Sequence, residues 1–253
     1  MSIMHPARLH WLDPRHPNQP FPDPAKALSD PNGLLAIGGD LSATRLLNAY
    51  RHGVFPWFNP DEPILWWSPD PRCVFPACAV RVSHSLAKLR RQGAYALSFN
   101  HAFDTVLDQC AGPRRGGRGT WLGPEMRLAY RTLHQHGLAH SVEVWRDGKL
   151  VGGLYGVSLG GIFFGESMFS HEANVSKLAL AQLADQLRDW HFALIDAQVV
   201  SDHLLSLGAI GVPRKEFLRQ LARALDRPAP ALWRFDATHA GNPAHLPVAS
   251  LRP

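Results

Sequence analysis

The sequence predicts an α+β chain with a small N-terminal domain, and three observations carry that prediction. Segments 141–145, 150–159 and 161–168 are apolar or alternating and are joined by the turn sequences RDGK and LGG, the pattern of an antiparallel meander. A helix-length segment follows at 174–190, with Leu180, Leu183, Leu187 and Trp190 at helical spacing, and after it comes the strand-like LIDAQVV at 194–200. The first 70 residues differ in kind: WLDPRHPNQPFPDPAKALSDPNG is proline-rich and predicts turns instead of periodic structure.

The remaining elements follow in chain order. Ser42 is placed to cap a short helix over 42–52 with Leu46, Leu47 and Tyr50 on one face, and Gly53 is placed to end it. Trp57, Phe58, Trp66 and Trp67 then sit between prolines, as the core of a small lobe or as a platform on which a base stacks. Alternation in VFPACAVRV predicts a strand, 83–92 a basic helix and 94–99 a further strand. Asn100 is expected to cap a helix whose inner side holds Phe103, Val106, Leu107 and Cys110. Residues 124–136 read as a helix closed by Gly137, and HQHGLAH at its end reads as surface. A short helix ending at Gly208 and a last helix over 214–225 complete the pattern. The expected division is a small N-terminal domain over 1–70, the main domain over 71–235 and a flexible tail over 236–253, with most of the Pro- and Ala-rich chain after Asp226 mobile.

At 253 residues and 45% hydrophobic content, the chain is long enough for one large core plus a small lobe. No apolar stretch approaches the roughly 20 residues of a membrane span, and MSIMHPARLHW lacks a signal-peptide core, so a soluble, cytoplasmic protein with no membrane partner is expected. Cys73, Cys78 and Cys110 are an odd, sparse set that suits a reducing compartment, and with no second Cys pair at zinc-site spacing no metal is expected. The net charge of +5 is concentrated: residues 72–118 carry eight basic and two acidic side chains, which leaves −1 for the rest. Such a segment is the footprint of a polyphosphate partner or a solvated charged face. For the first reading the candidates are Lys88, Arg90 and Arg91 on the basic helix, and Arg114 and Arg115 in the glycine-loosened RRGGRG.

Chemistry is expected where polar side chains interrupt apolar strands. GIFFGESM carries Glu166 and LIDAQVV carries Asp196 and Gln198. Alternate strand residues share a face, so Asp196 and Gln198 are expected to point one way with Glu166 facing them from a neighbouring strand. A carboxylate buried without a partner costs several kcal/mol, so these acids are either paired internally or used. Ser167 lacks the second glycine of a hydrolase elbow, and no triad follows it.

Two helices, a meander, a long helix and a further strand resemble the N-acetyltransferase-like (GNAT) fold, which passes acyl groups to amines. Its coenzyme A-dependent members hold the pyrophosphate on a glycine-rich turn at the start of the long helix. Here that position reads MFSHEANVSK, without a glycine, so acetyl-CoA is not expected as donor and no cofactor is assigned. A coenzyme A-dependent acetyltransferase and a non-enzymatic RNA-binding protein are the rival readings.

LLAIGGDLS (34–42), GVFPWF (53–58), ILWWSPDPR (64–72), GTW (119–121), HSVEVW (140–145), GESMFS (165–170) and IDAQ with SDHLLSLGA (195–209) resemble the leucyl/phenylalanyl-tRNA–protein transferase family over roughly residues 21–225. The resemblance implies transfer of Leu, Phe or sometimes Met from aminoacyl-tRNA to proteins beginning with Arg or Lys, which marks them for degradation. It also implies that Trp57 and Trp121 hold the 3′-terminal adenosine and that Phe163 and Met168 help form the pocket for the transferred side chain. An aminoacyl ester is already activated, so proximity of the amine is expected to supply most of the rate. Gln198 is expected to accept a hydrogen bond from the attacking amine, with Asp196 orienting Gln198 and stabilising positive charge on the nitrogen. Glu166 is expected to attract the acceptor's basic first residue. Nothing in the sequence asks for an oligomer, and a monomer is expected.

Overall fold

The computed structural model describes residues 9–112 and 121–247, so Arg114 and Arg115 lie outside the described residues. The N-terminal region forms a four-stranded sheet from β1 (His10–Leu12), β2 (Leu34–Gly38), β3 (Phe55–Pro56) and β4 (Leu65–Trp67), in the order β1-β2-β4-β3, with α1 (Ala43–Arg51) between β2 and β3. Ser42 caps α1 by accepting from Arg45 N, and Gly53 adopts φ +71° just beyond it, as the sequence predicts. The sheet itself is not legible in the sequence, because strands of two to five residues among prolines show no period. Its centre is Trp66, fully buried, with the indole N–H donating to Gly38 O at 2.8 Å.

A seven-stranded sheet dominates the remainder. Its strands are β5 (Arg72–Pro76), β6 (Ala96–Phe99), β7 (Ala139–Arg146), β8 (Lys149–Leu159), β9 (Ile162–Ser170), β10 (Leu194–Gln198) and β11 (Ile210–Val212), in the order β11-β5-β10-β9-β8-β7-β6. The meander β7-β8-β9 is antiparallel as expected, and β10 pairs parallel with β9, which the intervening helix α5 (Val175–Asp189) makes possible. On one face lie α3 (Phe103–Cys110), α4 (Pro124–Gln135) and α7 (Arg214–Leu225) with the N-terminal sheet; on the other lie α5 and α2 (His84–Arg91), with α6 (Asp202–Ser206) leading into β11.

Four sequence expectations need correction. The strand read into VFPACAVRV stops at Pro76, where Ala77 and Cys78 turn through left-handed φ values of 49° and 54°. Asn100 does not cap α3; it uses its side chain to accept from Ser141 N and to contact His140 Nδ1, while the carboxylate of Glu143 accepts from the N–H groups of His101 and Ala102 ahead of the helix. The HQHGLAH histidines are not all at the surface: His134 stacks on Phe103 at 3.9 Å, and His140 is buried beneath Trp233 at 3.8 Å. The chain after Asp226 is docked through 247. Phe235 stacks on Phe99 at 4.0 Å, Asp236 and Gln186 exchange two hydrogen bonds, and Gly241 pairs with Ala96, covering the edge strand β6. Composition misled here, because two aromatic anchors suffice to order a proline-rich strap.

Candidate active site

Two one-residue bulges shape the site. Against β8, Tyr155 pairs with Ser167 and Gly156 with Gly165, which leaves Glu166 as the extra residue of β9. Against β5, Asp196 pairs with Val74 and Gln198 with Cys73, which leaves Ala197 as the extra residue of β10. The parallel pairing of β9 and β10 ends at Phe164 and Asp196, so both bulges lie just past the point where the strands part. Gln198 is left-handed at φ 57° and sits in a three-residue turn closed by Val199 N to Ala197 O at 2.8 Å.

That turn breaks the alternation expected from sequence. Ile195, Ala197 and Gln198 all line a cavity of about 150 Å³ with Glu166, Phe163 and Met168, while Asp196 does not reach it. Asp196 is fully buried on the other side, gripped by Arg72 through Nε at 2.8 Å and Nη2 at 2.6 Å, and its Oδ1 also accepts the Gln198 backbone N–H at 3.0 Å. Arg72 is fully buried too, packed between the rings of Phe55 and Phe217 at 4.7 and 4.6 Å and donating to Gly53 O. It therefore does not contribute to the basic surface in which its charge was counted. Asp196 orients Gln198 through the main chain, and its charge is matched within the core.

Glu166 keeps some exposure as a residue, but its carboxylate is enclosed. It accepts from the hydroxyls of Tyr130 at 2.7 Å and Tyr50 at 2.9 Å and from Gln198 Nε2 at 3.2 Å. Burial pushes Glu166 up to about 7, against the opposing pull of the two hydroxyls, and burial with the neighbouring carboxylate pushes both tyrosines well above their usual range, so they stay protonated donors. Because the Gln198 amide N–H is spent on Glu166, its carbonyl oxygen is the free end, and among the described residues no hydrogen bond ends on it. Tyr50 comes from α1 and Tyr130 from α4, 80 positions apart; no local spacing in the sequence signals that they meet.

Of the two aromatic candidates for the adenosine, Trp121 stands beside this network and Trp57 stands beside Trp67 of the N-terminal sheet. Trp121 is edge-on to Tyr130 at 6.5 Å. Trp57 is 46% exposed, an uncommon state for so large a ring, and lies 5.8 Å from Trp67. The turns that follow the two rings touch, since a Cβ on Gly123 would lie 3.5 Å from Pro60. Lys88 and Arg91 are exposed on α2, whereas Arg90 is paired with Asp185 of α5 at 2.5 Å. The α2 helix packs on α5, which itself supplies Leu180 and Leu183 to the cavity, so these cations stand one helix away from it. Among the described residues no group of three His, Cys, Asp or Glu side chains is placed to hold a metal ion, and no helix is long and apolar enough to cross a membrane.

Comparison with known proteins identifies the family. The family described as leucyl/phenylalanyl-tRNA protein transferase matches residues 74–222, and that described as its N-terminal domain matches residues 39–70. A leucyl/phenylalanyl-tRNA–protein transferase of Alkalilimnicola ehrlichii is 54% identical over 231 residues, which cover 90% of this chain and 90% of the relative. The transferase of that name from Thiobacillus denitrificans is 55% identical over 86% of this chain and 96% of its own length, and the one from Pseudomonas putida is 56% identical over 89% and 99%. The chain belongs to the leucyl/phenylalanyl-tRNA–protein transferase family.

Proposed function

We propose that this protein transfers Leu, Phe or Met from aminoacyl-tRNA to the α-amine of proteins beginning with Arg or Lys, marking them for degradation, and that it works in the cytoplasm as a monomer without a coenzyme. The observation that carries the reading is that Glu166, Gln198, Phe163 and Met168 line one cavity, so an apolar side chain held by Phe163 and Met168 would present its ester beside the free oxygen of Gln198. The parting of parallel strands β9 and β10 beside that cavity also supports a GNAT-like main domain with a separate small N-terminal domain over 1–70.

In the proposed reaction the neutral amine attacks the ester carbon, a new C–N bond forms, and the C–O bond to the terminal ribose breaks, with the amine proton passing to the departing ribose oxygen. Gln198 Oε1 accepts a hydrogen bond from the amine as it becomes cationic in the transition state. Glu166 fixes the Gln198 amide so that its oxygen points outward, and a cationic first residue on the acceptor favours its ionised form over the protonated one that burial promotes; with three hydrogen bonds already on its two oxygens, it offers field more than open valence. Trp57 and Trp121 stack the terminal adenosine, while Lys88 and Arg91 meet phosphates farther along the tRNA; Arg114 and Arg115, and Arg90 if tRNA displaces Asp185, are further phosphate ligands in this reading.

The test is a transfer assay with radiolabelled leucyl-tRNA and an Arg-terminated acceptor protein. Gln198→Ala lowers turnover by on the order of 100-fold and leaves tRNA affinity within about twofold, whereas Lys88→Ala with Arg91→Ala weakens tRNA binding and flattens its salt dependence. Equal losses of affinity in both sets would refute the division of labour, and absence of transfer by the unaltered protein would refute the function.

A further inference from the structure

The strap beyond α7 lies outside the family model's match, which ends at residue 222, yet its Trp233 stands beside Phe163, a residue that lines the cavity. Trp233 stands among five rings: it stacks on His140 at 3.8 Å and 13°, meets Phe99 and Trp190 edge-on at 5.3 Å, and lies 6.1 Å from Phe192 and 6.0 Å from Phe163. Of these rings only Phe163 also lines the cavity. Phe163 is fully buried, and on its β8 side it lies against bare backbone, because a Cβ on Gly156 would come within 2.5 Å of its Cε1. Little side-chain bulk therefore holds the ring on that side, and the indole of Trp233 stands near it on the strap side.

Trp233 is itself fixed. Asn100 Oδ1 accepts from Ser141 N, so its amide N–H points to His140 Nδ1 at 3.0 Å, and His140 Nε2 then donates to Gly137 O at 3.1 Å. Burial drives His140 down to about 3, in keeping with a neutral ring in this arrangement. Downstream of Trp233, Asp236 is locked to Gln186 at 2.7 and 2.8 Å, and the His239 carbonyl accepts from Gln182 Nε2 at 2.9 Å. The indole can neither slide along the sheet nor lift away without breaking these contacts.

We infer that Trp233 is a positioning residue that sets the depth of the side-chain cavity by fixing Phe163, and through it the ranking of the transferred amino acids. The inference rests on reading this cavity as the aminoacyl side-chain pocket. A void opened behind a cavity wall is filled only in part by relaxation, so loss of the indole lets the Phe163 ring retreat and deepens the floor. A deeper floor favours phenylalanine over leucine. A misfit of one methylene in an apolar pocket is worth about 10-fold or more in discrimination, so a partial retreat is expected to shift the ratio by about fivefold.

The experiment uses non-hydrolysable 3′-amide analogues of leucyl- and phenylalanyl-adenosine, titrated calorimetrically into the full chain, with transfer of the two amino acids measured alongside. Trp233→Leu is expected to raise phenylalanyl over leucyl preference by about fivefold in both the Kd ratio and the kcat/KM ratio, and Trp233→Phe, which keeps a ring, by about twofold. Leu232→Ala, a change at a 68% exposed neighbour, is expected to leave the ratio as it is. A ratio unmoved in the Trp233 variants, a parallel weakening of both analogues, or an equal shift in Leu232→Ala overturns the inference; where Trp233→Leu fails to fold, Trp233→Phe decides alone. An unaltered chain that binds neither analogue defeats the pocket reading, whereas binding with an unmoved ratio defeats only the role of Trp233.

Discussion

Glu143 and Glu166 are two glutamates on strands separated only by β8, of which only Glu166 is singled out by the sequence. Glu143 accepts from Ser141, from Ser98 Oγ at 2.5 Å and from the N–H groups of His101 and Ala102, and Ser98 in turn accepts the indole N–H of Trp145. All of its partners belong to β6, β7 or the turn before α3, and it does not line the cavity that holds Glu166. Glu166 draws its partners from α1, α4 and β10 and opens onto the space between β9 and β10. Burial raises both acids. The two acids therefore differ in where their partners come from: Glu143 ties neighbouring strands to the turn before α3, whereas the partners of Glu166 converge from distant elements beside an open space.

The largest expected effect comes from Asp196, the acid that belongs to neither class because an arginine matches it. Asp196→Ala leaves Arg72 charged and buried between two rings, and is expected to cost about 3–5 kcal/mol in chemical denaturation. Replacing both partners with apolar residues, Arg72→Met with Asp196→Leu, is expected to recover most of that stability while transfer stays low, since the brace on the Gln198 backbone N–H is then gone. Full activity in the doubly replaced protein would show that the left-handed turn at Gln198 needs no such brace.

Next in size is the crossed test of the two glutamates. Glu143→Ala removes the acceptor for two hydroxyls and for the N–H groups ahead of α3, and is expected to cost about 2 kcal/mol while transfer per folded molecule stays unchanged. Glu143→Ala lowering transfer per folded molecule as strongly as Gln198→Ala would erase the distinction between scaffold acid and site acid.

How much of this was legible depends on the range of the signal. The meander, α5 and α7 follow from periodicity, and α7 runs over Arg214–Leu225 as expected, because an apolar face repeated over 12 residues is a local property. The acids and Gln198 were found because polar residues stand out in apolar strands. Tyr50 and Tyr130 were not, since each reads as one more apolar residue on the inner face of its helix and only the tertiary fold brings both hydroxyls to one carboxylate. Arg72 read as surface charge because a sequence shows no burial. The strap was hidden by its composition, although Trp233 and Phe235, two residues apart, place two large rings on one side of an extended segment.

The smallest expected effect is a change of slope with pH, and it sets Glu166 against His140. Glu166 rises from 4.5 unfolded to about 7 folded, so between those values the native protein holds a proton that the unfolded chain releases. Its contribution to stability is then greatest at acid pH and is lost as pH rises through about 7. His140 falls from 6.5 to about 3, so the unfolded chain binds the extra proton and the contribution of His140 is lost as pH falls across that range. Between pH 4.5 and 6.5 the two slopes oppose each other and partly cancel. Glu166→Gln removes one of them, so urea midpoints measured across this window are expected to rise more steeply with pH in the variant than in the unaltered protein. Parallel curves would mean that the Glu166 carboxylate titrates near its unfolded value, and the contrast with a passive buried acid would then rest on its partners alone.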